Sequence, residues 1–414
     1  MTATPHAMLT IENGLLFDGR SSQPVPRSVH LANGDIVGLG GDAPAEAEVI
    51  DAEGRLIVPG LIDAHFHAYG IGLDLLQIEA TPMSYVASVA AGRLSRALNR
   101  GFTTVRDVAG GDLGLSRALA EGLIAGPRYL FAGRALTQTG GHGDPRPGDL
   151  DLCCGSSHVA EVVDGVDDLR RAVRERFRTG ADLIKVFASG GVVSPTDPLR
   201  LCQYSAEELR AVCDEADRRR SYVAAHAYSP EAITHAVTNG VRSVEHGNLL
   251  DEPTAALMAE RGAYLVPTLI AYRAMADRGE ELGLPEVSRL KNQEVLEAGI
   301  GSIEIATRHG VPVGFGTDLM GALEDEQLHE FRVRSAAQSA GEMLVAATAT
   351  NAALIGRPEL GVIEPSTPAD LVMFDVNPLD AVDALWTSPR TVIRGGVVVA
   401  GPDRPSGPGR RGPR

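Results

Sequence analysis

The chain has 414 residues, 44% of them apolar, enough to fill one large core and a smaller second one. Its formal net charge of -16 argues against nucleic acid and anionic membranes as partners, because both would repel such a surface, and a small-molecule partner is expected instead. No apolar run reaches the roughly 18 residues of a membrane span. The start "MTATPHAMLTIENG" lacks the features of a signal peptide, and four cysteines are too few for a disulfide scaffold, so a cytoplasmic protein is expected.

In chain order, residues 9 to 58 read as short alternating strands broken by "NG" and "DG" turns. The strand candidates "GLIDAH", "FTTVRD", "RYLFAG", "LIKVFA", "YVAAHA", "RSVEHG", "AYLVPT" and "VPVGFGTD" follow, alternating with helical patterns. One such helix, in "SAEELRAVCDEADRRR", opens with Ser205 and carries Glu208 three residues on, a capping-box pattern. Eight strands with intervening helices predict an α/β fold, a closed (β/α)8 TIM barrel over residues 59–358. The short-strand style returns in "PADLVMFDV" and "TVIRGGVVVAG", so segments 1–58 and 359–401 are expected to form one small composite β-domain, a β-sandwich made by both termini. The Pro-, Gly- and Arg-rich tail 402–414 has nothing to bury and is expected to be disordered. Adjacent Cys153 and Cys154 cannot readily bridge each other, and no role is assigned to them.

The stretch "LIVPGLIDAHFHAYG" ends a buried-looking strand with two histidines one residue apart. Strand side chains alternate faces, so His65 and His67 point one way while Phe66 turns into packing. Chemistry in such barrels collects where strands end, and ligand-type residues recur there: Lys185 on the fourth strand, His226 on the fifth, His246 on the sixth and Asp318 on the eighth. Singly, each has an ordinary reading as a satisfied core histidine, a rim lysine or a helix cap. Together at one mouth they would be costly to bury without a cation, and a metal centre resolves that cost.

With "PGLIDAHFH", "IKVFASGG", "AAHAYS", "SVEHG" and "GFGTD" in this order, nearly the whole chain resembles the amidohydrolase superfamily of metal-dependent hydrolases. Within it, "KVFASGGVVSPTDP" followed by "YSAEELRAVCDEA" resembles the prolidase-like and imidazolonepropionase-like branch. The resemblance implies that His65, His67 and Asp318 hold one divalent ion and that His226 and His246 hold a second. It also implies that Lys185 bridges the two as a carbamate formed with CO2, since an ammonium cannot bind a cation. A nearby dication would favour the deprotonated amine and then the anionic carbamate. Zinc is the first expectation for both ions, with manganese, cobalt and iron as alternatives. Members of the superfamily often assemble, so a homo-oligomer is expected.

Two such ions can share a water and lower its pKa towards neutrality. Asp318 is the candidate to take the proton from that nucleophile and return it to a leaving amine. His142, between glycines in "TQTGGHGDP", is the candidate donor to the developing oxyanion, and Tyr228 in "HAYS" the candidate substrate contact. Both positions resemble substrate-contacting ones in the dipeptidase branch; a solvent-facing loop histidine and a helix-start tyrosine are the ordinary alternatives. Arg106 in "TTVRD" would grip a substrate carboxylate through its planar fork, or else pair with Asp107 or a loop. Gly190 and Gly191 are expected to let their loop fold tightly beside the metals.

The expected reaction is hydrolysis of an amide bond in an N-acyl amino acid, a dipeptide including prolyl ones, or an amide-linked xenobiotic. Lactones, lactams, carbamates and organophosphates are the alternative substrates for the same centre. A non-catalytic scaffold would have lost ligands, whereas all six positions carry competent residue types. Specificity is expected in loops at about 138–165 and 268–300.

Overall fold

The computed structural model describes residues 8–20, 23–146, 158–194 and 197–403. Cys153, Cys154 and the tail from 404 onward lie outside them. The chain divides into two compact units: the residues up to Ile62 with Arg96–Thr103 and the chain from Ser339, and Asp63–Ser95 with Thr104–Gln338. These bounds place residues 339–358 with the terminal strands.

In the first unit, alternating apolar residues build two sheets. One runs in the order Asp35–Leu39, Val29–Ala32, Leu9–Glu12, Glu48–Asp51. The other runs Val397–Ala400, Arg390–Arg394, Leu371–Phe374, Leu56–Pro59, Leu15–Leu16, Val25–Pro26. Ile11, Leu31 and Ile36 from the first sheet and Ile57, Met373 and Ile393 from the second share one buried core, which makes the pair a β-sandwich. The expected tail starts too early: Asp403 accepts hydrogen bonds from Arg55 Nη1 and Thr391 Oγ1, both at 2.7 Å, so ordered chain runs through it.

The second architecture is the barrel. Its strands are Leu61–Phe66, Phe102–Asp107, Arg128–Phe131, Ile184–Phe187, Val223–Ala227, Ser243–His246 and Tyr264–Val266. The third strand breaks and resumes as Ala135–Thr137, which pairs in parallel with the fourth through Leu136 and Val186. The eighth position has no regular strand. Segment 313–317 makes a parallel bridge from Val313 to Leu265, and Phe315 O accepts from Ala64 N at 2.9 Å, closing the ring. Gly316 explains the irregularity, since a Cβ there would sit 2.6 Å from His65 Cβ and 3.0 Å from His65 N. First strand and closing segment approach too closely for any side chain.

Helices cover the barrel as their apolar spacing dictates. Ser205 and Glu208 form the reciprocal cap of helix Ala206–Asp217, with Glu208 Oε2 accepting from Ser205 N at 2.8 Å and Ser205 Oγ from Glu208 N at 3.3 Å. Leu209, Val212 and Ala216, three and four residues apart, pack with Ile184 and Val186 of the fourth strand and Val223 and Ala225 of the fifth. Among the described residues no helix is long and apolar enough to cross a membrane.

One buried acid in this packing is held in an unfavourable environment. Glu330, in helix His329–Arg334, accepts from Ile270 N at 2.6 Å, and burial pushes its pKa up to about 7 against the pull of Arg334. A carboxyl raised from its ordinary 4.5 to about 7 supports the fold while protonated and loses that support as pH rises through this interval. Glu330→Gln keeps an acceptor for Ile270 and cannot ionise. Urea titrations should find the variant more stable than the parent by about 1–3 kcal/mol at pH 8 and no more stable at pH 4.

Candidate metal centre

The first strand delivers His65, with His67 just past its end, and the closing segment delivers Asp318 opposite them. His65 Nε2 lies 3.3 Å and His67 Nε2 2.9 Å from Asp318 Oδ1. Asp318 is held there by its own backbone, whose N–H donates to His65 O at 2.8 Å. His246 ends the sixth strand with Nδ1 3.8 Å from Asp318 Oδ2 and 2.8 Å from Thr268 Oγ1. The donor atoms of His65, His246 and Asp318 all lie within 4.8 Å of one another. His226, from the fifth strand, places its ring 4.6 Å from that of His246 and its Nε2 3.1 Å from Gly190 O. Lys185, buried on the fourth strand, faces the same pocket, as do His142 and Tyr228.

Three of the residues that build this rim are strained. His246, Thr268 and Asp318 have φ of 75°, 49° and 53°, the left-handed region that costs a non-glycine residue of order 1 kcal/mol or more. Surrounding bonds hold them in place and turn their side chains towards one point.

The electrostatics suit a cation. Burial drives the pKa values of His226 and His246 well below the imidazole norm, so both rings are neutral and able to act as ligands. Burial works against the Asp318 carboxylate, but its contacts with His65 and His67 outweigh it and hold its pKa well below the usual range. Burial also lowers Lys185 to about 8 despite the opposing pull of Glu245 and Asp318, which makes the neutral, CO2-reactive amine accessible near physiological pH. Imidazole nitrogens, a carboxylate and an amine ready for modification are a donor set that fits divalent metal ions of the zinc or manganese type.

Arg106 departs from its expected role. Fully buried and outside the pocket lining, it directs Nη2 at both oxygens of Glu245, at 2.8 and 2.9 Å, and donates from Nε to Ala64 O. Asp107 is not its partner either, as that carboxylate accepts from Tyr129 OH at 2.7 Å and Ala68 N at 2.9 Å. Glu245 also accepts from Ser243 Oγ at 2.5 Å and lies 2.7 Å from His65 Nδ1. Arg106 thus neutralises the carboxylate that orients His65. Sequence reasoning missed Glu245, although it carried a signal: an acid inside "SVEH", two residues from Ser243, shares its face of a strand buried on both sides and requires a buried partner.

The other two expected contacts lie in the pocket. His142 stacks on His226 with ring centroids 4.5 Å apart, and Tyr228 stacks on His246 at 5.2 Å. Tyr228 OH shares a 2.9 Å hydrogen bond with Tyr272 OH, a partner that lies inside the loop region expected to set specificity.

A parallel barrel with this donor set at one rim has the architecture of a metal-dependent hydrolase. Residues 56–399 match the Amidohydrolase family. The chain is 32% identical to ochratoxinase from Aspergillus niger over 377 residues, covering 84% of this chain and 76% of that protein. It superposes with a TM-score of 0.91 on a prolidase crystallised with N-methylphosphonate-L-proline, at 41% identity and covering 95% of this chain and 99% of that one. A Xaa-Pro dipeptidase with bound methionine in its active site gives a TM-score of 0.85 at 30% identity, covering 95% and 99% of the two chains. The protein belongs to the amidohydrolase family.

Glu245→Gln tests the charge layer under the rim. It leaves Arg106 buried without a counter-charge, so chemical denaturation should show a loss of about 3–5 kcal/mol. It also weakens the hold on His65, and chelator competition should show metal affinity reduced by roughly 10–100-fold.

Proposed function

We propose that the protein is a binuclear metal-dependent hydrolase that cleaves the amide bond of N-acyl amino acids, dipeptides or amide-linked xenobiotics. The observation that carries this reading is the cluster of imidazoles around Asp318, with His226 and His246 kept neutral by burial, opening into a pocket whose other walls include Leu73, Ile78, Val193, Met275 and Met320. Relatives that are a prolidase and an ochratoxinase support the amide as the bond attacked.

His65, His67 and Asp318 would hold one ion and His226 and His246 the other, with Lys185 bridging as a carbamate; zinc is the expected metal. Ions seated there supply Lewis acidity and an acidified water. Asp318, whose carboxylate stays ionised, accepts a proton from the attacking water and passes it to the departing amine. His142 donates to the oxygen that gains charge as the carbonyl becomes tetrahedral. Tyr228, fixed by Tyr272 and by its stacking on His246, borders the reacting centre and contacts the substrate. The apolar walls exclude water and favour substrates with a bulky apolar group beside the scissile bond.

Two variants test the assignment against a panel of N-acyl amino acids and dipeptides. Lys185→Ala should lose both bound metal and turnover, and a short carboxylic acid standing in for the carbamate should restore part of each. Wild-type metal content in that variant would remove Lys185 from the centre. His142→Ala should retain metal and lower kcat by roughly 10²–10³. A change confined to KM would reassign His142 to substrate binding.

A further inference from the structure

We infer that Asp197 is the positioning residue of His142, setting which ring nitrogen meets the substrate, and that Gln203 and Lys291 lock Asp197 in place. The inference rests on the reading of His142 as the oxyanion donor.

The plane of the His142 ring is fixed by packing. One face lies against Gly191, where a Cβ would come within 2.1 Å of ring Cε1 and 2.3 Å of Nε2, and the other stacks on His226 with an interplanar angle of 22°. Phe187 meets the ring edge-on at 5.3 Å. These apolar and stacking contacts define a slot, but a slot does not distinguish a ring from its flipped form, which exchanges nitrogen and carbon positions. A polar group must break that symmetry.

Asp197 is the group in position to do so. Its Oδ2 lies 3.5 Å from His142 Nδ1, and the side chain is almost fully buried. Among the described residues that nitrogen, itself buried, makes no hydrogen bond of ordinary geometry, and its contact with Asp197 is that ion-pair approach. A carboxylate only accepts, so it selects the form with a proton on Nδ1 and turns Nε2 away from itself, towards the pocket that His142 lines. The distance is long for a hydrogen bond, as such contacts often are before substrate closes the site.

Asp197 is anchored from two sides. Gln203 spans the pair: its Oε1 accepts from His142 N at 3.0 Å and its Nε2 donates to Asp197 Oδ2 at 3.1 Å. Lys291, on the long helix Glu286–Arg308, donates from Nζ to Gly191 O at 3.1 Å, Ser194 O at 2.8 Å and Asp197 O at 2.5 Å. The same ammonium lies 4.0 Å from Asp197 Oδ1 and balances its charge. One lysine therefore ties together the backbone on which the His142 ring lies and the acid that orients it. The pull of His142, Ser194 and Lys291 overcomes burial and keeps the Asp197 carboxyl below its ordinary pKa.

A double-mutant cycle on the full-length, metal-replete enzyme, with N-benzoyl-L-phenylalanine as probe, separates orientation from general support of the fold. Asp197→Asn, nearly isosteric, should lower kcat by roughly 10² with KM within about twofold. Asp197→Glu should recover part of that loss, and Asp197→Asn should have no further effect in the His142→Ala background. Independent, multiplying effects of the two substitutions would overturn the inference. A second readout needs no turnover: in ¹⁵N-imidazole spectra, the resonance that disappears in His142→Ala should report a protonated Nδ1 in the parent and shift towards the Nε2-protonated form in Asp197→Asn. An unchanged tautomer would overturn the inference even if activity fell. If His142→Ala kept full kcat, the donor reading of His142 would fail, and the spectra would still decide whether Asp197 sets its tautomer. Should Asp197→Asn fail to fold, Gln203→Leu gives the same two readouts with the carboxylate intact but released from its hold.

Discussion

Each imidazole at the rim has two nitrogens, and the site works only if the right one faces inward. The protein solves this separately for three of them. Glu245 engages Nδ1 of His65, Thr268 Oγ1 engages Nδ1 of His246, and Gly190 O engages Nε2 of His226. In each case one nitrogen is tied to the scaffold, and for His65 the other, Nε2, faces Asp318. Burial reinforces the arrangement by keeping His226 and His246 neutral. The orientation of these rings thus depends on hydrogen bonds one layer behind them.

That layer carries charge, and charge inside a barrel needs compensation. Glu245 could not sit fully buried behind His65 without Arg106, and Arg106 could not occupy the barrel interior without Glu245. Asp63 meets the same constraint with neutral donors, accepting from Thr317 Oγ1 at 2.6 Å and Gln327 Nε2 at 3.0 Å. Because Thr317 precedes Asp318 in the closing segment, this bond also pins the one barrel position that has no regular strand. At the end of that irregular backbone Asp318 takes a left-handed turn towards the histidines.

Much of this was legible in the sequence, for a physical reason. Barrel strands buried on both faces read as short apolar runs, and a histidine, lysine or aspartate at the end of such a run stands out because burying it is costly. His65, His67, Lys185, His226, His246 and Asp318 were visible on that basis, and the helix opening at Ser205 on the basis of its cap. Partnerships were less visible. Alternation assigns a residue to a face but not to a neighbour, so the pairing of Arg106 with Glu245, across many residues of sequence, had no local signature and a substrate role looked equally open. Asp197 was hidden in the same way: in "SPTDP" it reads as a turn residue, and only the fold brings it to His142. The expected tail was misjudged at its start because composition cannot show that Arg55, from the other end of the chain, reaches Asp403.

The pocket divides its labour between two kinds of backbone. The candidate ligand residues stand on or beside barrel strands, with His65 bonded to Glu245 of another strand, His246 to Thr268 and His226 to Gly190 O. The walls come from elsewhere: Leu73 precedes helix Leu75–Ala80, Val193 follows the fourth strand, Met275 lies on helix Leu269–Arg278, and Met320 follows the closing segment. Such segments accept substitution at small cost to the fold. His142 belongs to neither class. It sits on a loop, yet Gly191 and His226 pack against its ring and Gln203 accepts from its backbone N–H, the kind of support that the proposed donor to the reacting oxygen requires.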